Sequence, residues 1–282
     1  MSVLLALVAA LAYGVSDFLG GLASQRAPAR VVLTLSYPIG VVLMVAMLPA
    51  FAGRLDWPTV AWSCAGGVAG AVGVVLLYTG LATGPMGVVA PLTAVSTAVV
   101  PVGVGIGLGE RPPLLAYVGV LLALGAVVLV SRGPARDEAH TPVTSRAVLL
   151  ALLAGGGFGS YFCALHATPP SSGLWPLVIS RAAATLLVVG AAIRHRALPG
   201  RLTHPSVVRM ALGAGALDAV ANLAYLLAVR HGLLALVSVL VALYPAATVG
   251  LATVVLGERT GRAQRIGLLI AAGSVALIAR TS

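Results

Sequence analysis

The stretches GLGERPPLLAYVG at 107–119 and VLGERTGRAQRIG at 255–267 share the tetrapeptide Leu-Gly-Glu-Arg at a separation of 148 residues. The chain holds only three glutamates, and two of them, Glu110 and Glu258, stand in this motif, followed by Arg111 and Arg259. Glycines lie nine and fifteen residues beyond each, Gly119 and Gly125 in the first copy, Gly267 and Gly273 in the second. Tyr78 precedes Glu110 by 32 residues and Tyr225 precedes Glu258 by 33. Agreement that extends this far past four letters marks an internal repeat.

The surroundings of the motif are apolar. The chain is 60% hydrophobic and 9% charged, with a mean hydropathy of +1.06, whereas a soluble domain carries about a quarter of its residues charged. Ten apolar runs emerge, at 3–22, 31–51, 59–81, 86–108, 114–131, 146–167, 174–193, 206–229, 232–256 and 262–280. Each approaches the roughly 20 residues that a helix needs to cross a bilayer. They are apolar on every face, unlike membrane β-strands, which alternate over about ten residues. The fold class is therefore an all-α polytopic membrane protein with ten transmembrane helices. The first run has no basic segment before it and carries Asp17, so it reads as a retained helix and not as a signal peptide.

A net charge of +10 comes from 17 arginines and no lysine. These residues punctuate the apolar runs, which places them in membrane-flanking loops and not in a nucleic-acid surface. Cys64 and Cys163 lie inside apolar runs and read as small apolar residues. His140, His166, His195, His204 and His231 sit in loops or at helix ends without a ligand-spaced partner. No cofactor or metal is expected, and an enzyme is disfavoured because no nucleophile has a positioned base. GGGFGS at 155–160 has no strand before it, so it reads as helix packing and not as a phosphate cradle.

The linker 132–145 divides the chain into 1–131 and 146–282, five spans each. An odd number of spans returns the chain on the opposite side, so the second repeat is inserted upside down relative to the first. Two inverted five-helix repeats are the plan of secondary transporters, whose sites lie near the midplane. Loop arginines alternate twelve to four in favour of ten spans, and by the positive-inside rule they place both termini outside the cytoplasm.

Polar side chains inside the bilayer are the candidates for function. An aspartate at a helix centre costs about 2.5–3.5 kcal/mol on insertion. Asp218 lies near the middle of the eighth run and shares one helical face with Asn222 and Tyr225. Tyr13 and Asp17 do the same on the first. These two stripes are the expected cavity lining, with Asp218 favoured as a proton-binding carboxyl. Arg181, in the seventh run, either pairs with one of the aspartates or receives an anionic substrate group. Glu110 and Glu258 are expected to cap short turns at the membrane edge. Pro38, Pro91, Pro101 and Pro245 should interrupt the second, fourth and ninth helices. Gly66, Gly70 and Gly73, like Gly155 and Gly159, are spaced for close helix packing. Trp57, Trp62 and Trp175 suit an interfacial belt.

The stretch LVSVLVALYPAATVGLATVVLGERTGRAQRIGLLIAAGSVALIA at 236–279 resembles the EamA-type repeat of the drug/metabolite transporter superfamily. The resemblance rests on Tyr244-Pro245, Leu256-Gly257-Glu258-Arg259, Gln264, Gly267 and Gly273. The first half follows the pattern more loosely, with Ser96-Thr97 in place of Tyr244-Pro245 and Tyr117 in place of Arg265. The resemblance implies two inverted repeats around a central cavity, with cytoplasmic termini, opposite to the arginine count. It also implies alternating-access export of a small metabolite, an amino-acid-like compound or a drug, from a bacterial inner membrane. Proton coupling is the expected drive, so the partners are a small molecule, protons and lipid. A lipid-carrier flippase of the same superfamily and a non-transporting scaffold or accessory subunit are the alternatives.

Overall fold

In a bilayer every backbone polar group must be satisfied within its own segment, which leaves the helix as the solution for runs this apolar. The computed structural model describes residues 1–51, 53–131, 144–194, 204–257 and 260–281. Glu258, Arg259 and most of the expected linker lie outside the described residues. The helices are α1 (Ser2–Ser24), α2 (Ala29–Met47), α3 (Trp57–Thr83), α4 (Met86–Gly107), α5 (Leu114–Ser131), α6 (Ser145–His166), α7 (Trp175–Arg194), α8 (Pro205–His231), α9 (Leu234–Val241), α10 (Tyr244–Leu256) and α11 (Arg262–Ala279). Among the described residues they supply ten spans of membrane-crossing length and composition, α9 and α10 together forming the ninth.

Polar residues at the helix starts do the work expected of caps. The Asp56 carboxylate accepts from Thr59 N at 2.8 Å and begins α3. That bond holds the half-buried Asp56 carboxyl below its usual range. Thr144 accepts from Ala147 N at 3.1 Å at the start of α6, and His204 accepts from Ser206 N at 3.2 Å at the start of α8. The repeated motif explains its own glycine. Gly109 and Gly257 have φ of +93° and +66°, the left-handed region that only glycine enters without cost. Gly109 follows the end of α4 and Gly257 the end of α10.

Proline acts less uniformly than expected. Pro91 and Pro101 are absorbed within a continuous α4, and Pro38 within α2. The ninth span alone breaks, at Ala242-Leu243, with Pro245 in the first turn of α10. A proline is tolerated there because the first-turn N–H has no intrahelical partner to lose. The interruptions expected in the second and fourth helices are thus corrected to unbroken helices that contain their prolines, while that in the ninth is a true break.

Packing exchanges the two halves. Helix α1 packs on α8 and α6 on α3; α2 packs on α8 and α7 on α3; α5 and α11 pair, as do α2 and α7. Swapping the five spans of one half for those of the other returns the same set of neighbours, as two oppositely inserted repeats require. The closest crossings repeat as well. A Cβ on Gly67 would overlap the Ser180 carbonyl of α7, and one on Gly215 would overlap the Ser36 carbonyl of α2. Gly67 and Gly215 are 148 residues apart, the same offset as the two glutamates. The GGGFGS run packs: Gly155 and Gly159 meet α4 and Gly157 meets α3.

Candidate functional site

Between the halves lies a cavity of about 480 Å³, within the range of roughly 300–1,000 Å³ usual for small-molecule sites. Its wall runs along α1 from Tyr13 to Ser24, along the first turns of α2 at Val32 and Leu33, and along α3 to Leu81. It therefore reaches the face that carries the 25–28 and 84–85 turns. That face also bears Arg26, Arg30, Arg146, Arg194, Arg209, Arg262 and Arg265, the richer of the two arginine sets.

The opposite face is shut. Arg54 N donates to Ser171 O at 2.8 Å, and Arg230 donates to Ser172 Oγ and Gly173 O at 3.1 and 2.8 Å. The Glu110 carboxylate accepts from Leu234 N at 2.5 Å and Ala235 N at 2.9 Å. This corrects the expected role of Glu110. It caps the helix that starts in the other repeat, α9, which has no capping side chain of its own. Leu234, Leu236, Leu240, Leu174 and Leu177 fill the space beneath as apolar core.

At the floor of the cavity the sequence-predicted polar stripes meet in one network. Arg181 of α7 forms an ion pair with Asp218 of α8, and its guanidinium lies 5.1 Å from the Tyr37 ring centroid. Asn222 Nδ2 donates to the Asp218 carbonyl and carboxylate at 2.7 and 3.1 Å. Asn222 Oδ1 accepts from Tyr13 at 2.8 Å and from Tyr161 at 2.5 Å. One asparagine thus joins α1, α6 and α8, and one arginine joins α2, α7 and α8. Asp17 lines the same cavity but makes no hydrogen bond or ion pair among the described residues.

Tyr225 is the exception among the stripe residues. It is 0% exposed, stacks on Phe162 at 4.3 Å, and donates to Phe162 O at 3.2 Å. It belongs to the closed side and does not line the cavity. Tyr78, its partner in the sequence pairing, does line it. Their spacings to the two glutamates differ by one residue, and one residue turns a helical side chain by about 100°.

Four cavity tyrosines, Tyr37, Tyr78, Tyr161 and Tyr244, escaped the reading of polar residues for function. Tyr161 sits directly after GGGFGS, a run that reads as packing. The available signal was the phenol itself, since a buried tyrosine hydroxyl needs a partner.

Ten membrane-length helices closed around a one-sided central cavity define a multi-pass membrane protein with the architecture of a carrier. The chain belongs to the EamA-like transporter family, whose sequence pattern matches twice, at residues 1–132 and 145–280. A solved crystal structure superposes with a TM-score of 0.79 over 98% of this chain and 95% of its own, at 20% identity. At that identity the likeness concerns the fold. No curated protein matches the chain.

Proposed function

We propose that this protein is a secondary-active carrier that exports a small organic metabolite by alternating access across a bacterial inner membrane. The observation that carries the proposal is the asymmetry of the cavity, open at one face and sealed at the other. The seal is made by contacts between helices and turns that a rocking of one half against the other would separate. Arg54–Ser171 and Glu110–α9 both join residues of opposite repeats. The polar network at the floor touches five helices, so a ligand bound there would sense and bias their arrangement.

In this reading the proton site is Asp17 and not Asp218. Asp218 is engaged by Arg181 and Asn222, which leaves Asp17 as the cavity carboxyl without a partner among the described residues. Proton coupling in this reading falls to Asp17.

Untargeted metabolite profiling of culture media tests the reading. Cells would express wild-type protein, Asp17→Asn or an empty vector, with the two proteins at matched membrane levels. One compound class is expected to accumulate outside only with the wild type. Media indistinguishable between wild type and empty vector would overturn export.

A further inference from the structure

Among the described residues, three charged side chains line the cavity: Asp17, Arg181 and Asp218. Two of them neutralise each other in the Arg181–Asp218 pair, and the Tyr37 ring supplies the guanidinium with a further partner. Among the described residues lining the cavity, Asp17 alone has a carboxylate without an ion-pair or hydrogen-bond partner. The ionised cavity therefore carries one net negative charge, and an ion without a partner at this depth is costly.

The surroundings of Asp17 are aromatic. Tyr13, Tyr78 and Tyr244 line the same cavity as Asp17. Tyr13 and Tyr244 meet edge to face at 6.4 Å, and Tyr13 and Phe162 also lie 6.4 Å apart. Aromatic faces attract cations through the ring quadrupole, more strongly where water is excluded. Beside them, a lone carboxylate supplies the full counter-charge.

An anion has no comparable site. The one arginine among the described lining residues is already held by Asp218, and breaking this half-buried pair to free it leaves the Asp218 charge uncompensated. A neutral ligand would leave the ionised Asp17 carboxylate without a counter-charge and would be compatible only with its protonated form.

Resting on the reading of this cavity as the transport site, we propose that it binds a small organic monocation, an amine or quaternary ammonium compound with an apolar body. Asp17 is its counter-ion, and Tyr13, Tyr78 and Tyr244 form its aromatic walls.

Three probes that share one body and differ in charge test the assignment: phenethylammonium, phenethyl alcohol and hydrocinnamate. Each is titrated into the purified full chain while thermal unfolding is followed. Only phenethylammonium is expected to give a saturable rise in melting temperature. Asp17→Asn should weaken its apparent affinity about tenfold or more, equivalent to about 1.4 kcal/mol. Tyr78→Phe keeps the ring and should retain binding, whereas Tyr78→Leu should weaken it severalfold. Equal or tighter binding of the alcohol or the carboxylate overturns the assignment. So does cation binding that survives Asp17→Asn, or the lack of a saturable response to any of the three.

Efflux of the same compounds from loaded proteoliposomes separates this proposal from the carrier reading. A carboxylate that moves sinks the cation assignment and keeps the carrier. A cation that binds but does not move keeps the site and sinks the carrier.

Discussion

Gly67 and Gly215 let two helix crossings come close enough for backbone to touch backbone, and no larger residue fits at either place. Gly67→Ala is expected to force α3 and α7 apart and to destabilise the protein by about 1–3 kcal/mol, the usual cost of overpacking. Gly103→Ala is the control, because a Cβ there meets nothing within 4 Å. Thermal unfolding of the two purified variants checks the contrast, and equal melting temperatures would show that the crossing tolerates a methyl group. The glycine stripe Gly66, Gly70 and Gly73 was legible from its spacing, yet the tightest contact belongs to Gly67, one position aside. Spacing identifies one face of a helix, and α3 uses two. Gly66 and Gly73 meet α6, while Gly67 meets α7. At the same scale, Asp218 and Arg181 were visible as misplaced charges, but their pairing was one option of several, because a sequence does not show which helices become neighbours.

The ninth span shows how an element can be read correctly and still hide its working part. Its apolar run and Pro245 predict an interrupted helix, and the break follows at Ala242-Leu243. What local sequence does not reveal is that α9 lacks a side-chain cap and borrows Glu110 from 124 residues away. A carboxylate on two N–H groups at a helix start also gains from the helix dipole. Removing it by Glu110→Ala is expected to cost about 0.5–2 kcal/mol, the range for lost caps. The cost should be local, seen as faster hydrogen exchange in the peptide covering 234–243 with little change in α11. Unaltered exchange there would mean that the contact contributes nothing to α9. The glutamates were recognised as capping residues from their place at a turn. Sequence proximity suggested their own turn, whereas the inverted arrangement brings the end of α4 to the beginning of α9.

For the whole molecule, parity alone foretold the architecture, since five spans per half and a repeated motif require opposite insertion. The exchange of neighbours between the halves is the physical form of that inference. What parity could not foretell is where the halves differ. Arg230 seals the closed face against Ser172 and Gly173, and the residue 148 positions earlier is Ala82. The opposite face therefore has no guanidinium at the matching position. Arg230→Ala is expected to raise the accessibility of buried closed-face positions, measured as faster thiol labelling of a Ser238→Cys probe. Labelling unchanged by the substitution would show that Arg230 does not hold the face shut.

That unmatched arginine bears on how the protein waits between turnovers. A carrier built from two equivalent halves would spend its idle time equally at both compartments. A latch that, among the described residues, stands on one side only makes the idle populations unequal, and a ligand binds with an apparent affinity reduced by the fraction of molecules facing away from it. The half-saturating concentration should thus be lower from the compartment toward which the empty protein rests, with no difference in the binding site itself. The gradient still sets the direction of net movement. The latch sets how scarce a compound can be and still be caught.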